Sequence, residues 1–243
     1  MAVAATLRTH TGMVRRQNED AAWMDEARGV FAVADGMGGH LAGEVASAMA
    51  IDAVREMACC ARPGISTLSA AVSCADGTIR RHAQENPACS GMGTTLSLLW
   101  HSGERAYIAH VGDSRIYRLR DGEFAQLTRD HSLVEEMVRS GLITEDEARV
   151  HPRRNIITRA LGTQGNNEPD LFIESAKPGD VFLLCSDGLN GMVEDERMAR
   201  VIREETLETA ADRLIDMALK AGGNDNVTLI LYRVEEDAAW NRD

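Results

Sequence analysis

The sequence predicts an α+β fold in which antiparallel β-sheets are covered by helices. Three observations point there. Short β-rich runs bounded by Gly, Asp or Asn dominate the middle of the chain, one neighbouring pair is joined by a two-residue turn, and long helical stripes stand early and again before the last strand. The 243 residues can bury a core without disulfide staples, and one domain spanning 1–243 is expected. Lys and Arg number 26 against 38 Asp and Glu, a net charge of -12, and aromatic residues are 4%. The basic, aromatic footprint of a nucleic-acid binder is therefore absent.

Strand-like runs fall at Val30–Ala34, Thr94–Trp100, Arg105–Val111, Arg115–Arg120, Glu123–Thr128, Val181–Cys185 and Val227–Val234. Asp121-Gly122 reads as a two-residue hairpin turn, because both residue types tolerate the positive φ it requires. Leu41 to Ala61 is rich in Ala, Met and Val without proline and reads as a helix whose Met and Ala fill core space. Leu68, Val72, Ala75, Ile79 and His82 form one helical stripe, as do Leu207, Ala211, Leu214 and Ala218 ahead of the stop at Gly222-Gly223. Thr144-x-x-Glu147 is a capping box. From about 130 to 170 short helices and a Gly/Asn-rich stretch suggest a surface insertion.

The five cysteines (Cys59, Cys60, Cys74, Cys89, Cys185) are odd in number with no C-x-x-C pair, which fits reduced thiols. The first residues lack a charged leader, and no stretch approaches the ~18 apolar residues of a membrane span. A cytoplasmic protein without membrane contact is expected.

The chemistry is carried by a recurrence. Val30–Ala34 runs into Asp35-Gly36, Val181–Ser186 into Asp187-Gly188, and Ala106–Gly112 into Asp113. Asn224-Asp225-Asn226 opens the strand at Val227, and Asn18-Glu19-Asp20 follows an expected strand end. Asp121-Gly122 is a turn and nothing more, and Asp76-Gly77, inside a helical stripe, stays unassigned. Carboxylates converging at the mouth of a core repel one another and lose hydration, a cost that cations remove. Oxygen-only ligands select hard ions, Mg²⁺ or Mn²⁺.

Seven segments then stand in one order: Gly12–Asp20, Asp35-Gly36-Met37-Gly38-Gly39-His40, Gly91-Met92-Gly93-Thr94-Thr95, Val111–Tyr117, Thr128–Ser132, Leu183–Leu189 and Asp225–Thr228. In this set the chain resembles the metal-dependent protein phosphatases of the PP2C type (PPM family) in their compact bacterial form. The resemblance implies a four-layer αββα sandwich, two antiparallel sheets flanked by helices, with a flap at about 130–170. It implies hydrolysis of phosphoserine and phosphothreonine in proteins by a metal-activated bridging water, with two Mn²⁺ or Mg²⁺ ions and a third, weaker one.

By position, Asp35 bridges both ions, Asp187 and Asp225 hold one and the Gly36 carbonyl the other. Glu19 and Asp20 hold metal-bound waters, Asn226 orients one, Asp113 matches the weaker site, and Arg15 matches the phosphate-binding arginine, whose planar fork suits phosphate. Phosphorylated proteins and a eukaryotic-like Ser/Thr kinase with its substrates are the implied partners, and a monomer is expected. Met37 stands where animal relatives carry a histidine that could protonate the leaving group; His40 or a water is the remaining candidate.

Two rival readings follow from the same residues. Cys74 to Arg80 fits the C-x5-R spacing of cysteine phosphatases, but it lies in a helical stripe and Asp76 would repel phosphate. A metal-free regulatory or phosphoprotein-binding module is the other, against which the complete set of Asp35, Asp187, Asp225 and Arg15 argues. Arg153, Arg154 and Arg159 could greet a phosphopeptide, and the remaining histidines, including His131, read as structural or exposed.

Overall fold

The computed structural model describes residues 3–38, 42–165 and 167–235. The chain begins with β1 (Val3–His10), β2 (Asp20–Asp25) and β3 (Val30–Met37), followed by helices α1 (Ala42–Cys60) and α2 (Ile65–Glu85). Next come β4 (Gly93–Thr94), β5 (Leu96–Ser102), β6 (Arg105–Val111), β7 (Arg115–Arg120) and β8 (Glu123–Gln126). Helices α3 (Leu133–Arg139) and α4 (Glu145–Val150) precede β9 (Asp170–Ser175) and β10 (Val181–Cys185). Helices α5 (Asp187–Asn190), α6 (Asp195–Glu204) and α7 (Leu207–Lys220) lead to β11 (Val227–Val234).

One sheet has the order β1-β11-β10-β7-β8, the other β2-β3-β5-β6-β9 with β4 on the end of β3, and every pairing is antiparallel. Side chains alternate across a strand, and that alternation sorts the core into three layers. Val30, Ala32 and Ala34 of β3 face outward against Ala46, Ala50 and Val54 of α1 and Leu68, Val72 and Ile79 of α2. Leu183, Leu229 and Leu231 face outward on the other sheet, against Met198 of α6 and Ala211, Leu214 and Ala218 of α7. Between the sheets lie Phe31, Val33, Leu99 and Ile108 from one side and Ile116, Phe182, Leu184, Ile230 and Tyr232 from the other. The arrangement is four layers, αββα, as the resemblance implied.

At the centre, Tyr232 is stacked between Phe31 and Phe182, with ring centroids 4.1 and 4.8 Å away and interplanar angles of 2° and 3°. Both helical stripes fall where expected, and Asp121 and Gly122 take positive φ values of 51° and 87° in the β7–β8 turn. Thr144 and Glu147 form the capping box. Among the described residues no helix is long and apolar enough to cross a membrane.

The structure also departs from expectation. β1, β2, β9, α5 and α6 were not foreseen, and Asn18-Glu19-Asp20, expected just after a strand end, leads into β2, which begins at Asp20. The run at Thr94–Trp100 breaks at Thr95, whose N–H donates to the Asp35 carbonyl (2.9 Å) while its Oγ1 accepts from the Asp35 N–H (2.9 Å). Leu41, expected to start the first helix, lies outside the described residues.

The aromatic stack makes the first prediction. Phe182→Ala should cost about 3–5 kcal/mol, read as a lower midpoint in urea unfolding. Phe182→Leu, which keeps most of the apolar volume, should cost less than half as much but remain measurable; a cost near zero for Phe182→Leu would mean the ring stack contributes nothing beyond filling space.

Candidate active site

The inner-face series that builds the inter-sheet core also builds the site. Along β3 it reads Phe31, Val33, Asp35; along β5, toward the same end, Leu99, Ser97, Thr95; along β6, Ile108, then His110. On the facing sheet β7 continues from Ile116 to Ser114, β10 from Leu184 to Ser186, and β11 from Ile230 to Thr228 and Asn226. Apolar side chains thus give way to hydroxyls and an imidazole, and these to carboxylates, at one end of the sandwich. Asp20 stands directly opposite Asp35 in the β2–β3 ladder, on the same face.

The hydroxyl layer ties the sheets together below the acids. Ser186 Oγ donates to Asp20 Oδ2 (2.7 Å) and accepts from the Thr228 N–H (3.0 Å). Thr95 and Ser114 hydroxyls bond each other (2.7 Å), Ser97 Oγ donates to the Ser114 carbonyl (3.0 Å), and Ser97 also meets His110 Nδ1 (3.0 Å). Burial drives the His110 pKa down to about 4, so this ring is neutral near pH 7. None of these hydroxyls was singled out from the sequence, yet their even spacing from the inner-face residues Leu99, Ile116, Leu184 and Ile230 was a usable signal.

The acids above this layer are in mutual conflict. Desolvation is the largest influence on each of four aspartates, although Asp20, Asp35 and Asp187 keep part of their surface open. It lifts Asp20 to about 7, with hydrogen bonds from Ser186 and Thr228 opposing and Asp187 and Asp225 adding repulsion. It lifts Asp187 to about 6, reinforced by Asp225 and moderated by a hydrogen bond with Asp35. Asp35 and Asp113 are held well above the usual carboxylate range by burial and by repulsion from their acidic neighbours. Glu19 is raised by burial and restrained by Arg15.

Asp20 Oδ1 is buried without a hydrogen-bond partner. An orphaned carboxylate oxygen beside repelling acids, with oxygen donors alone, fits hard divalent cations. Among the described residues no three His, Cys, Asp or Glu side chains close on one point as a finished ligand set; the carboxylates form an open rim.

The segment before β2 carries the cationic partner. Arg15 Nη2 donates to Asp225 Oδ2 (2.7 Å), and the arginine side chain remains half exposed. Asn226 clamps this segment: its Nδ2 donates to the Thr11 and Gln17 carbonyls (2.8 Å each) and its Oδ1 accepts from the Glu19 N–H (2.8 Å). Both Nδ2 protons are therefore committed to main chain, so the amide orients the Arg15–Glu19 segment, with only its carbonyl oxygen open to a water. Gly36 donates its N–H to the Glu19 carbonyl (3.1 Å), and a Cβ at Gly43, in the first turn of α1, would lie 2.9 Å from Glu19 Cδ.

Asp113 and Asp187 form the floor of a cleft of about 460 Å³ between α3 and α4 on one side and α5 and α6 on the other. The 130–170 segment is anchored beside it by a partly buried ion pair. Arg115 Nε lies 2.9 and 3.1 Å from the two Asp130 oxygens and its Nη2 2.7 Å from Oδ2. His131 is buried, with Nδ1 accepting from the Gly112 N–H (3.1 Å) and Nε2 3.2 Å from Asp170 Oδ2, and so supports the turn that carries Asp113. Arg154 lines the cleft, Arg153 is exposed, and Arg159 is engaged with Asp170 (3.0 Å). Cys74 is exposed within α2, not in a phosphate-cradling loop, so the cysteine-phosphatase reading fails. His40 lies outside the described residues.

The carboxyl conflict gives a sign-definite prediction. A folded-state pKa of about 7 for Asp20, against about 3.9 in an unfolded chain, means the folded protein binds the extra proton, so stability from this group is lost as pH rises through 7. In chelator-treated protein Asp20→Asn should raise the thermal midpoint at pH 8 by about 3 °C, the equivalent of roughly 1 kcal/mol in a chain of this size. The gain should shrink toward pH 5. A midpoint lowered at pH 8 would show that the charged aspartate stabilises the ion-free fold.

Comparison with known proteins places this geometry. Residues 10–221 match the family model for protein phosphatase 2C. The serine/threonine protein phosphatase PstP of Mycobacterium tuberculosis is 43% identical over 230 residues, which cover 93% of this chain and 44% of that protein, so the chain spans less than half its length. The serine/threonine phosphatase stp of Listeria monocytogenes is 41% identical over 243 residues, covering 96% of each chain. Among solved structures, the M. tuberculosis PstP/Ppp crystal structure superposes with a TM-score of 0.92 at 40% identity, covering 97% of this chain and 100% of that one. The PstP catalytic domain in complex with two manganese ions gives 0.89 at 39% identity, covering 96% and 99%. The chain belongs to the protein phosphatase 2C family.

Proposed function

We infer that this chain is a metal-dependent protein serine/threonine phosphatase using two Mn²⁺ or Mg²⁺ ions, with Asp113 and Asp187 beside a third, weaker site. The observation that carries the reading is the convergence of Asp20, Asp35, Asp187 and Asp225 at one end of the inter-sheet layer, with Arg15 bonded to the last of them. Asp35, Asp187 and Asp225, with the Gly36 carbonyl, would hold the ions directly, and Glu19 and Asp20 through water. Ions held there supply Lewis acidity, making water a nucleophile near neutral pH and offsetting phosphoryl charge.

The chain's own residues orient the substrate. Arg15 presents a planar, always-charged fork at the exposed edge of the acid rim, where it meets phosphate oxygens and keeps them in line. Asn226 fixes the position of that arginine by clamping the segment on both sides of it. Asp20 is held in place by the hydrogen bond from Ser186 Oγ (2.7 Å), which leaves its other oxygen without a protein partner and able to receive a metal-bound water. Met37 has no proton to give, so the leaving serine or threonine oxygen takes its proton from His40 or from water.

The reading extends to organisation and setting. Residues 1–243 act as one catalytic domain, and 130–170 act as a flap whose cleft, floored by Asp113 and Asp187, receives the flanking peptide. The free thiols support a reducing, cytoplasmic setting. A kinase that phosphorylates serine and threonine must supply the substrates, and the chain works as a monomer.

Hydrolysis of p-nitrophenyl phosphate by chelator-stripped protein, before and after adding Mn²⁺ or Mg²⁺, tests this. Activity should vanish on stripping and return with either ion. Asp35→Asn should lose at least about a hundredfold in kcat even at high Mn²⁺, and Arg15→Ala should raise KM about tenfold, the loss of one charge-assisted hydrogen bond. Near-normal turnover by Asp35→Asn would sink the metal assignment, and activity indifferent to chelation would sink the reaction class.

A further inference from the structure

Asp76 and Gly77, in the middle of α2, have no part in the site described so far. Asp76 nevertheless binds a distant stretch of chain. Its Oδ1 accepts from the Gly162 N–H (2.8 Å) and from Asn167 Nδ2 (2.9 Å), both on the return from the flap to β9. Asn167 Nδ2 also reaches the Thr163 carbonyl (2.9 Å), and Thr163 Oγ1 donates to the Ala160 carbonyl (2.8 Å), so the acceptor organises a whole turn. The other oxygen, Oδ2, forms an ion pair with Arg80 Nε at 2.9 Å without a directed hydrogen bond. Gly162 sits at φ +84°, and a Cβ there would strike Ile79 of α2 and lie 3.0 Å from the Met92 carbonyl. The turn is pressed against the helix.

From that turn a continuous hydrogen-bonded path runs to the acid rim. Leu161 and Thr94 exchange both main-chain bonds, N–H to carbonyl at 3.0 and 2.9 Å. Thr94 pairs with Gly36 and Gly93 with Met37 in the β3–β4 ladder. Thr94 Oγ1 donates to the Asp35 carbonyl (2.9 Å), which also accepts from the Thr95 N–H (2.9 Å). The end of β3, carrying the Asp35 carboxylate and the Gly36 carbonyl, is thus held on one side by β2 and on the other by a short bridge rooted in α2.

We propose that Asp76 is a positioning residue of the metal centre: through Gly162, Leu161 and Thr94 it fixes the main chain of Asp35 and Gly36 and so sets the affinity for divalent ions. The inference rests on the proposed metal-dependent reading. Its basis is the general behaviour of residues behind metal ligands, whose loss weakens binding by about 10–100-fold. It makes no contact with substrate and adds no chemistry of its own.

Calorimetric titration of metal-stripped protein with Mn²⁺ tests the idea, alongside p-nitrophenyl phosphate turnover as a function of Mn²⁺ concentration. Asp76→Ala should weaken Mn²⁺ binding about tenfold and shift half-activation to correspondingly higher Mn²⁺, with kcat largely recovered at saturation. Asp76→Asn keeps the Oδ1 acceptor and should return affinity to within about threefold of wild type, and Arg80→Ala, which removes only the ion pair, should bind as wild type. A general loss of stability would lower kcat at every Mn²⁺ concentration and would not distinguish Ala from Asn in this way. Should Asp76→Ala fail to fold, Asn167→Ala, which removes one donor, must still weaken Mn²⁺ binding.

Wild-type Mn²⁺ affinity in folded Asp76→Ala or Asn167→Ala, with the parent binding Mn²⁺ and hydrolysing the ester, would overturn this inference alone. A parent that binds no Mn²⁺ would overturn both it and the proposed function.

Discussion

Placing five carboxylates at the mouth of a dry inter-sheet layer is the constraint around which the molecule is arranged. Each loses hydration there, each repels the others, and the cost appears as raised proton affinities at Asp20, Asp35, Asp113 and Asp187. The fold answers with graded polarity. The same inner face that carries Phe31 and Val33 ends in Asp35, and the face that carries Leu184 and Ile230 ends in Ser186, Thr228 and Asn226. On the facing sheet hydroxyls sit between hydrocarbon and carboxylate and Ser186 donates to Asp20, whereas on β3 the inner face passes directly from Val33 to Asp35.

That arrangement depends on rigid layers elsewhere, because repulsion at one end must be resisted from the other. The aromatic stack of Phe31, Tyr232 and Phe182 joins the two sheets behind the polar layer. Outside them, α1 packs through alanines, which let the helix approach β3 closely. The closest approach is at Gly36 and Gly43, whose backbones leave no room for a side chain on either. It brings the first turn of α1 against Glu19, and Ser47 Oγ donates to the Glu19 carbonyl (2.6 Å), fixing the loop from which Glu19 and Arg15 project. The stability of the apolar layers thus maintains a strained electrostatic arrangement, the usual trade between function and stability.

Much of the site was legible because acids directly flanking strongly apolar strands violate the expected pattern, and violations of local pattern mark function. Asp35 and Asp187 follow uninterrupted buried runs, and Asp113 is separated from one only by Gly112, so all three stood out. The hydroxyl layer was harder to see: Ser97, Ser114, Ser186 and Thr228 are ordinary residues in or beside strands, and only their even spacing from the inner-face apolar residues marks them. β1 and β9 escaped because neither reads as a strongly apolar run; the Val3–His10 segment alternates Ala, Thr, Arg and His, and β9 is a partly exposed edge strand beginning at Asp170. β2 was missed altogether: its segment Asp20–Asp25 mixes acids with Ala, Trp and Met and carries no β-branched residue, whereas the β3 pairing draws Asp20 into the sheet. Asp76 was unreadable in principle, since its partners lie 86 and 91 residues away.

The division between a fixed centre and its surroundings then follows from where contacts are spent. Neither α3 nor α4 buries a residue, so little packing constrains their sequence or opposes local opening. The roots of the same segment are held firmly: Asp130 by Arg115, His131 by Gly112 and Asp170, Ser132 by a bridge to Ile157, and the return by Asp76. The anchors at Arg115, Gly112 and Asp170 end on β7, on the turn that carries Asp113 and on β9, all joined to or paired with strands that lead to an acid of the site. Substitutions on the outer faces of α3 and α4 can therefore reshape the wall of the cleft without moving the carboxylates. Changes at the anchors act on the centre itself, although none of the anchoring side chains needs to touch a substrate.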